Sequence, residues 1–189
     1  MLTLYLVRHG EVHNPQGIIY GHLPGYGLSR KGRDQLARAA AILETCGPLQ
    51  ALYVSPLQRA QESGQILGEH LGLGLTTEQL IVETGIEGYQ GQPFSALPQP
   101  YITEEPTVPG IESASSIRAR VFSWSARMLQ RHAGQQIVAV SHRDPLALSL
   151  LHWMGKGLEG LPEFALNPGG VYKVRLEKAE GAAQVEAMG

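Results

Sequence analysis

Five side chains in this sequence have the types and positions that chemistry requires: Arg8, His9, Arg59, Glu83 and His142. Arg8 and His9 follow the apolar run Leu2–Val7. Arg59 comes just after Ala51–Val54, through Ser55-Pro56-Leu57-Gln58. Glu83 ends the short stretch from Leu80, and His142 follows Gln136–Ser141. Two guanidinium forks match phosphate oxygens in a bidentate way. A neutral imidazole is a nucleophile when one ring nitrogen is free and an acceptor holds the N–H of the other. Neighbouring Arg charges favour that neutral form. A carboxyl group such as Glu83 then suits the leaving-group side. A phosphate-ester oxygen departs poorly as an alkoxide and needs a proton as the bond breaks. Charge on the equatorial oxygens falls to the Arg and His groups, which is most of what phosphoryl transfer asks of a protein.

These side chains meet only if the elements between them bring them to one place. Leu2–Val7, Ala51–Val54 and Gln136–Ser141 read as short buried strands, and Leu80–Glu83 as a brief extended piece. Ser29 is expected to cap a helix to about Cys46, with Leu36, Ala40 and Leu43 on one face. Ser55 reads as the cap of a helix to about Leu71, with Pro56 at its first position and Gln58 completing a capping box. Glu112 or Ser113 opens a helix in which Ile117, Val121, Trp124 and Met128 recur at helical spacing. Asp144-Pro145 is expected to cap and begin a helix to about Met154, apolar nearly all round. Gly169–Glu177 alternates as a last strand, and the tail 178–189 is expected to fray. Residues 10–28 and 85–111 are Gly- and Pro-bearing loops, the second long enough to serve as a lid. Alternating strands and helices predict an α/β fold: a three-layer α/β/α domain over residues 1–177 with a mostly parallel central sheet. Ligands of such sheets sit outside the carboxyl ends of the strands. Those ends are where the two Arg, the two His and Glu83 stand.

Four segments together carry a family likeness. Leu6-Val7-Arg8-His9-Gly10-Glu11, Ser55-Pro56-Leu57-Gln58-Arg59-Ala60, Glu83 ahead of Gly88-Tyr89-Gln90-Gly91, and Val140-Ser141-His142 resemble the histidine phosphatase superfamily in its phosphoglycerate-mutase-like branch. The likeness covers residues 1 to about 177 in order and spacing. It implies a phosphoglycerate mutase-like fold and transient phosphorylation of His9. It also implies that Arg8, Arg59 and His142 hold the phosphoryl group. Glu83 is then the proton donor and later the base for water. The chain departs from the pattern at three places, which are assigned to the pocket rim. Arg143 stands where Gly usually follows the second His. Val12-His13-Asn14-Pro15 replaces the Thr-x-x-Asn common in the mutases, leaving Asn14 as a candidate. His22 stands where an Arg is common.

Other residues compete for these roles. Glu11 and Glu87 are alternatives to Glu83 by position. Asp144 is two positions past His142, whereas a related acid-phosphatase branch has an Asp directly after its His; preceding Pro145, it reads here as a cap. His13 and His22 are placed at the pocket mouth or in plain loop. His9 and His13 are four apart, but Gly10 and Pro15 argue against a helix presenting both to a metal, so no metal is expected. His70, His132 and His152 read as structural or surface groups, and Tyr89 and Trp124 as packing.

Composition narrows the partners. A chain of 189 residues that is 43% hydrophobic suits one domain with a full core. A net charge of −2 and a pI near 6.4 argue against nucleic-acid binding. Cys46 is the one cysteine, so no internal disulfide or Cys-based zinc site is possible, and a reducing compartment fits. No apolar run suits a membrane span and no signal segment is evident, so a cytoplasmic protein without cofactor is expected. Nothing sets an oligomeric state. Between Arg59 and Arg118 there is no Lys or Arg but there are eight Glu. If loop 85–111 folds over the pocket, it brings carboxylates with Tyr89, Phe94 and Tyr101, and these would repel the second anionic end of a mutase substrate. The expected activity is therefore hydrolysis of small phosphate monoesters. The alternatives are mutase-type phosphoryl transfer, an inactive phospho-ligand binding module, or a metal-dependent hydrolase using the seven His.

Overall fold

The structure, a computed structural model, describes residues 1–188. Six strands form one sheet: β1 (Leu2–Arg8), β2 (Ala51–Val54), β3 (Leu75–Thr77), β4 (Gln136–Ser141), β5 (Val171–Leu176) and β6 (Gln184–Met188). Their order is β3-β2-β4-β1-β5-β6. The first four are mutually parallel, and β5 and β6 add antiparallel pairings at one side. Four helices cover the two faces: α1 (Arg30–Glu44), α2 (Gln58–Leu71), α3 (Ala114–Arg131) and α4 (Arg143–Trp153).

The period of two along β1 divides the core. Leu2, Leu4 and Leu6 face Trp124, Met128, Leu146, Leu150 and Trp153 of α3 and α4. Tyr5 and Val7 face Leu36, Ala40, Leu43 and Leu67 of α1 and α2. The result is a three-layer α/β/α fold. A third apolar cluster joins Ile102 of the long loop to Ala114, Ile117, Leu148, Leu151 and Leu161, and so docks that loop on α3 and α4.

Two predicted helix starts hold. The Ser29 hydroxyl accepts from Gly32 N at 3.0 Å, and the Ser113 hydroxyl from Ser116 N at 3.2 Å. Two others are corrected. α2 begins at Gln58 after Leu57, with no side-chain cap, and the Ser55 hydroxyl goes elsewhere. α4 begins at Arg143 after His142, so Asp144 lies inside the first turn rather than capping it. Leu80–Glu83 is also not a strand. Gln79–Ile81 make a single 3-10 turn, and the parallel edge strand is β3, just upstream.

The tail is a further correction. Instead of fraying, Gln184–Met188 pair antiparallel with β5, Val185 packs on the core, and Ala183 N donates to Trp153 O at 2.8 Å. Gln184 and Glu186 are polar residues of a kind that an edge strand tolerates. Residue 189, the end of that predicted tail, lies outside the described residues.

Candidate active site

Parallel register brings the predicted residues together. Arg8 is opposite Ser141, and Val54 is opposite Val140, so β1, β2 and β4 end at one rim. His9, Ser55 and His142 are the next residues out. Arg59, in the first turn of α2, reaches the same point with 1% of its surface exposed.

His9 is 2% exposed, and its ring is locked. Nδ1 lies 2.7 Å from Gly10 O, and Nε2 lies 3.3 Å from Arg59 Nε. A guanidinium can only donate, so Nε2 is the unprotonated nitrogen and Nδ1–H donates to the carbonyl. Burial first, then the Arg59 and Arg8 charges, push the His9 pKa well below its usual value. The ring is thus a neutral imidazole with its lone pair beside a cation. Ser63 supports the turn, because its hydroxyl accepts from Gly10 N at 3.2 Å and donates to Arg59 O at 2.7 Å.

His142 is fully buried, its ring centroid 5.1 Å from that of His9. Ser55 Oγ is 2.6 Å from its Nε2. With the hydroxyl donating there, Nδ1 carries the proton and is left with no protein partner. Arg8 Nε and Arg59 Nη2 are likewise buried without one. Buried polar groups are ordinarily paired, and these three, on residues at the carboxyl ends of β1, β2 and β4, are not. The arrangement suits an oxyanion. Ligand atoms of His9, Glu83 and His142 also lie within 4.8 Å of one another, as a metal site would require. The two guanidiniums beside them oppose a cation there and favour an anion.

Glu83 stands across from the rings, with Oε2 3.9 Å from His142 Nδ1. Burial, reinforced by the Asp144 charge, pushes its pKa up to about 7 against the pull of Arg59 and Arg8. It is held from behind. Ser141 Oγ donates to Ile81 O at 2.6 Å, the His22 ring nitrogen Nε2 donates to Glu83 O at 2.9 Å, and Arg120 donates to Leu80 O at 2.8 Å.

The three rim candidates separate. Arg143 lines the cavity, with its fork on Asp144 Oδ1 and Leu161 O, both at 2.9 Å. His22 faces a neighbouring cavity and acts on Glu83 through its backbone. Asn14 is not at the rim: its amide closes on Ile18 N and O within its own loop. A short amide four residues from a partner backbone satisfies itself locally before reaching a pocket.

A cavity of about 310 Å³ adjoins the site; Arg8, Arg59 and Glu83 line it, while the His9 and His142 rings are buried behind them. Ile86, Phe94, Leu97 and Tyr101 of loop 85–111 form its far wall, and Tyr20 lies over the Arg59 guanidinium at 4.8 Å. The expected acidic lid is corrected. Glu104 pairs with Arg118, Glu112 pairs with Arg120, and Glu87 and Glu105 face solvent, so the loop's wall toward the cavity carries no carboxylate and, Gln99 apart, is apolar and aromatic. Tyr89 is outside that wall. Sequence reasoning missed Ser55, Ser63 and Tyr20, and it assigned Asp144 to a cap. Only the Ser55 motif carried a usable signal, and that signal also spells a helix start.

Comparison with known proteins agrees with this geometry. Residues 4–187 match the histidine phosphatase superfamily, branch 1. An uncharacterised protein of Mycobacterium tuberculosis is 36% identical over 162 residues, 82% of this chain and 80% of that protein. Phosphoserine phosphatase 1 of Hydrogenobacter thermophilus is 28% identical over 188 residues, 94% of this chain and 88% of that protein. The structure of a mycobacterial glucosyl-3-phosphoglycerate phosphatase has a TM-score of 0.83 at 20% identity, over 98% of this chain and 97% of that one. No described helix is long and apolar enough to cross a membrane. With the match spanning nearly the whole sequence, the chain belongs to the histidine phosphatase superfamily.

Proposed function

We propose that this protein is a phosphomonoesterase that works through a phosphohistidine at His9. The observation that carries the reading is the set of three buried polar atoms without a hydrogen-bond partner, Arg8 Nε, Arg59 Nη2 and His142 Nδ1, together with the unprotonated Nε2 of His9, which accepts from Arg59 Nε. A phosphoryl group satisfies all three at once. In the first half-reaction, His9 Nε2 attacks phosphorus and the ester P–O bond breaks. The Glu83 carboxyl gives its proton to the departing oxygen. In the second, the Glu83 carboxylate takes a proton from water as that water attacks phosphorus. The N–P bond breaks and inorganic phosphate leaves.

The remainder of the substrate is neutral, weakly polar or aromatic. The cavity wall of Ile86, Phe94, Leu97 and Tyr101 favours it, and the one further cation, Arg143, is already neutralised by Asp144. A second anionic group would find no free partner there. The relative named phosphoserine phosphatase supports hydrolysis as the reaction type.

The test is steady-state hydrolysis of p-nitrophenyl phosphate beside phosphoglycerate interconversion, in EDTA. Turnover of the first, unaffected by chelation, with acid-labile ³²P labelling lost in His9→Ala, is expected. Efficient mutase turnover with little hydrolysis, activity abolished by EDTA, or unimpaired turnover by His9→Ala would overturn the reading.

A further inference from the structure

The first turn of α4 carries a buried carboxylate for which the reaction outlined above has no use. Asp144 is 7% exposed and lines the phosphoryl cavity. It caps nothing. Its Oδ2 accepts from the Tyr101 hydroxyl at 2.8 Å and from Thr84 Oγ1 at 3.4 Å. Its Oδ1 accepts from Arg143 at 2.9 Å. The three partners come from loop 85–111, from the residue after Glu83, and from α4 itself. Such a carboxylate is held in place from three sides.

A charge fixed there answers an electrostatic problem at Glu83. From β1 and α2, Glu83 faces Arg8 and Arg59, from α4 it faces the Arg143–Asp144 pair, and beside it are the neutral ring of His142 and the hydroxyl of Tyr20. Behind it, His22 and Arg120 bind backbone carbonyls. Burial holds the proton on Glu83, whereas the two guanidiniums pull toward a salt-bridged carboxylate, which cannot protonate a leaving group. Asp144 is the one negative group set against them.

We propose that Asp144 is a positioning residue of the reaction, whose fixed carboxylate keeps Glu83 proton-loaded until the leaving oxygen takes that proton. The inference rests on the reading of Glu83 as proton donor. Tyr101 links it to the loop, donating its hydroxyl to Asp144 Oδ2 from the wall of the same cavity. The direction of the Glu83 shift, with Asp144 second only to burial among its causes, agrees.

The experiment compares wild type with Asp144→Asn, Asp144→Glu, Tyr101→Phe and Glu83→Gln. Two esters separate the roles. p-Nitrophenyl phosphate has a leaving group that departs without a proton, and butyl phosphate has one that needs it. In D144N, the alkaline limb of kcat/KM for butyl phosphate is expected to move down by roughly one pH unit. Turnover of butyl phosphate at pH 8 falls about tenfold, while p-nitrophenyl phosphate is little affected. D144E restores the limb, and Y101F, which keeps the charge, leaves it in place. In parallel, ¹³C NMR of the labelled Glu83 carboxyl, assigned with E83Q, reads its titration directly and is expected to shift down in D144N only. An unmoved titration in folded D144N would overturn the proposal. So would equal losses on both esters, or the same downward shift in Y101F. If wild type hydrolyses neither ester, the phosphatase reading fails separately, and the NMR titration alone decides whether Asp144 sets the charge state of Glu83.

Discussion

At the scale of single residues, the site depends on which nitrogen carries which proton. Arg59 dictates the tautomer of His9 because it can only donate. Ser55 holds the Nε2 of His142 at 2.6 Å, and with its hydroxyl donating there the proton of that ring sits on Nδ1. Ser55→Ala leaves a buried ring nitrogen unpaired, a loss of about 1–3 kcal/mol. It is expected to lower kcat/KM on p-nitrophenyl phosphate at least tenfold, with Ser55→Thr recovering part of it. Titration also shapes stability. The folded pKa of Glu83, about 7, is above the ordinary 4.5, so between those values the folded state binds more protons than the unfolded one. Its contribution is full below pH 4.5 and is lost as pH rises through 7. Glu83→Gln should therefore stabilise the protein more at pH 8 than at pH 4, read from urea midpoints. His9 and His142 act in the opposite sense. Their folded pKa values are far below 6.5, so the unfolded chain takes up protons first and stability falls as pH drops below 6.5.

At the scale of elements, helix starts were legible where the capping side chain had no other duty and illegible where it did. Ser29 and Ser113 cap as their spacing predicts. Ser55 and Asp144 carry the same local signature, yet their oxygens bind His142, Tyr101 and Arg143. Cap residues and pocket residues are the same short polar types, and a helix start at a strand's carboxyl end is where both are wanted. The turn after β1 shows another constraint. A Cβ on Gly32 would run into the backbone of Glu11, and one on Gly10 into Gly32 O and Leu36. This close approach of α1 seats the loop that follows His9. Gly32→Ala is expected to cost about 1–3 kcal/mol through overpacking. Gly74→Ala, where the added Cβ meets nothing within 4 Å, should stay within about 0.5 kcal/mol. Urea unfolding of the two variants makes the comparison.

At the scale of the molecule, the C-terminal strand decides how the sheet ends. β6 covers β5, and Trp153 Nε1 donates to Ala179 O at 3.0 Å. A chain ending at Lys178 loses the strand, that acceptor and the packing of Val185, and should be less stable by more than about 2 kcal/mol in urea. No described residue of the segment lines the phosphoryl cavity, so activity at low temperature should survive. The sequence alone determined the α/β class and the strands β1, β2 and β4, and it singled out Arg8, His9, Arg59, Glu83 and His142 as the candidates that the fold brings near one another. Those features are local: short apolar runs ending in residues whose chemistry is distinctive. Tertiary structure alone decided the partners of Ser55 and Asp144, the removal of Asn14 from the rim, the apolar face of the loop and the pairing of the tail. Each of these depends on contacts between residues distant in the chain, where a polar side chain chooses among partners that only the folded packing brings within reach.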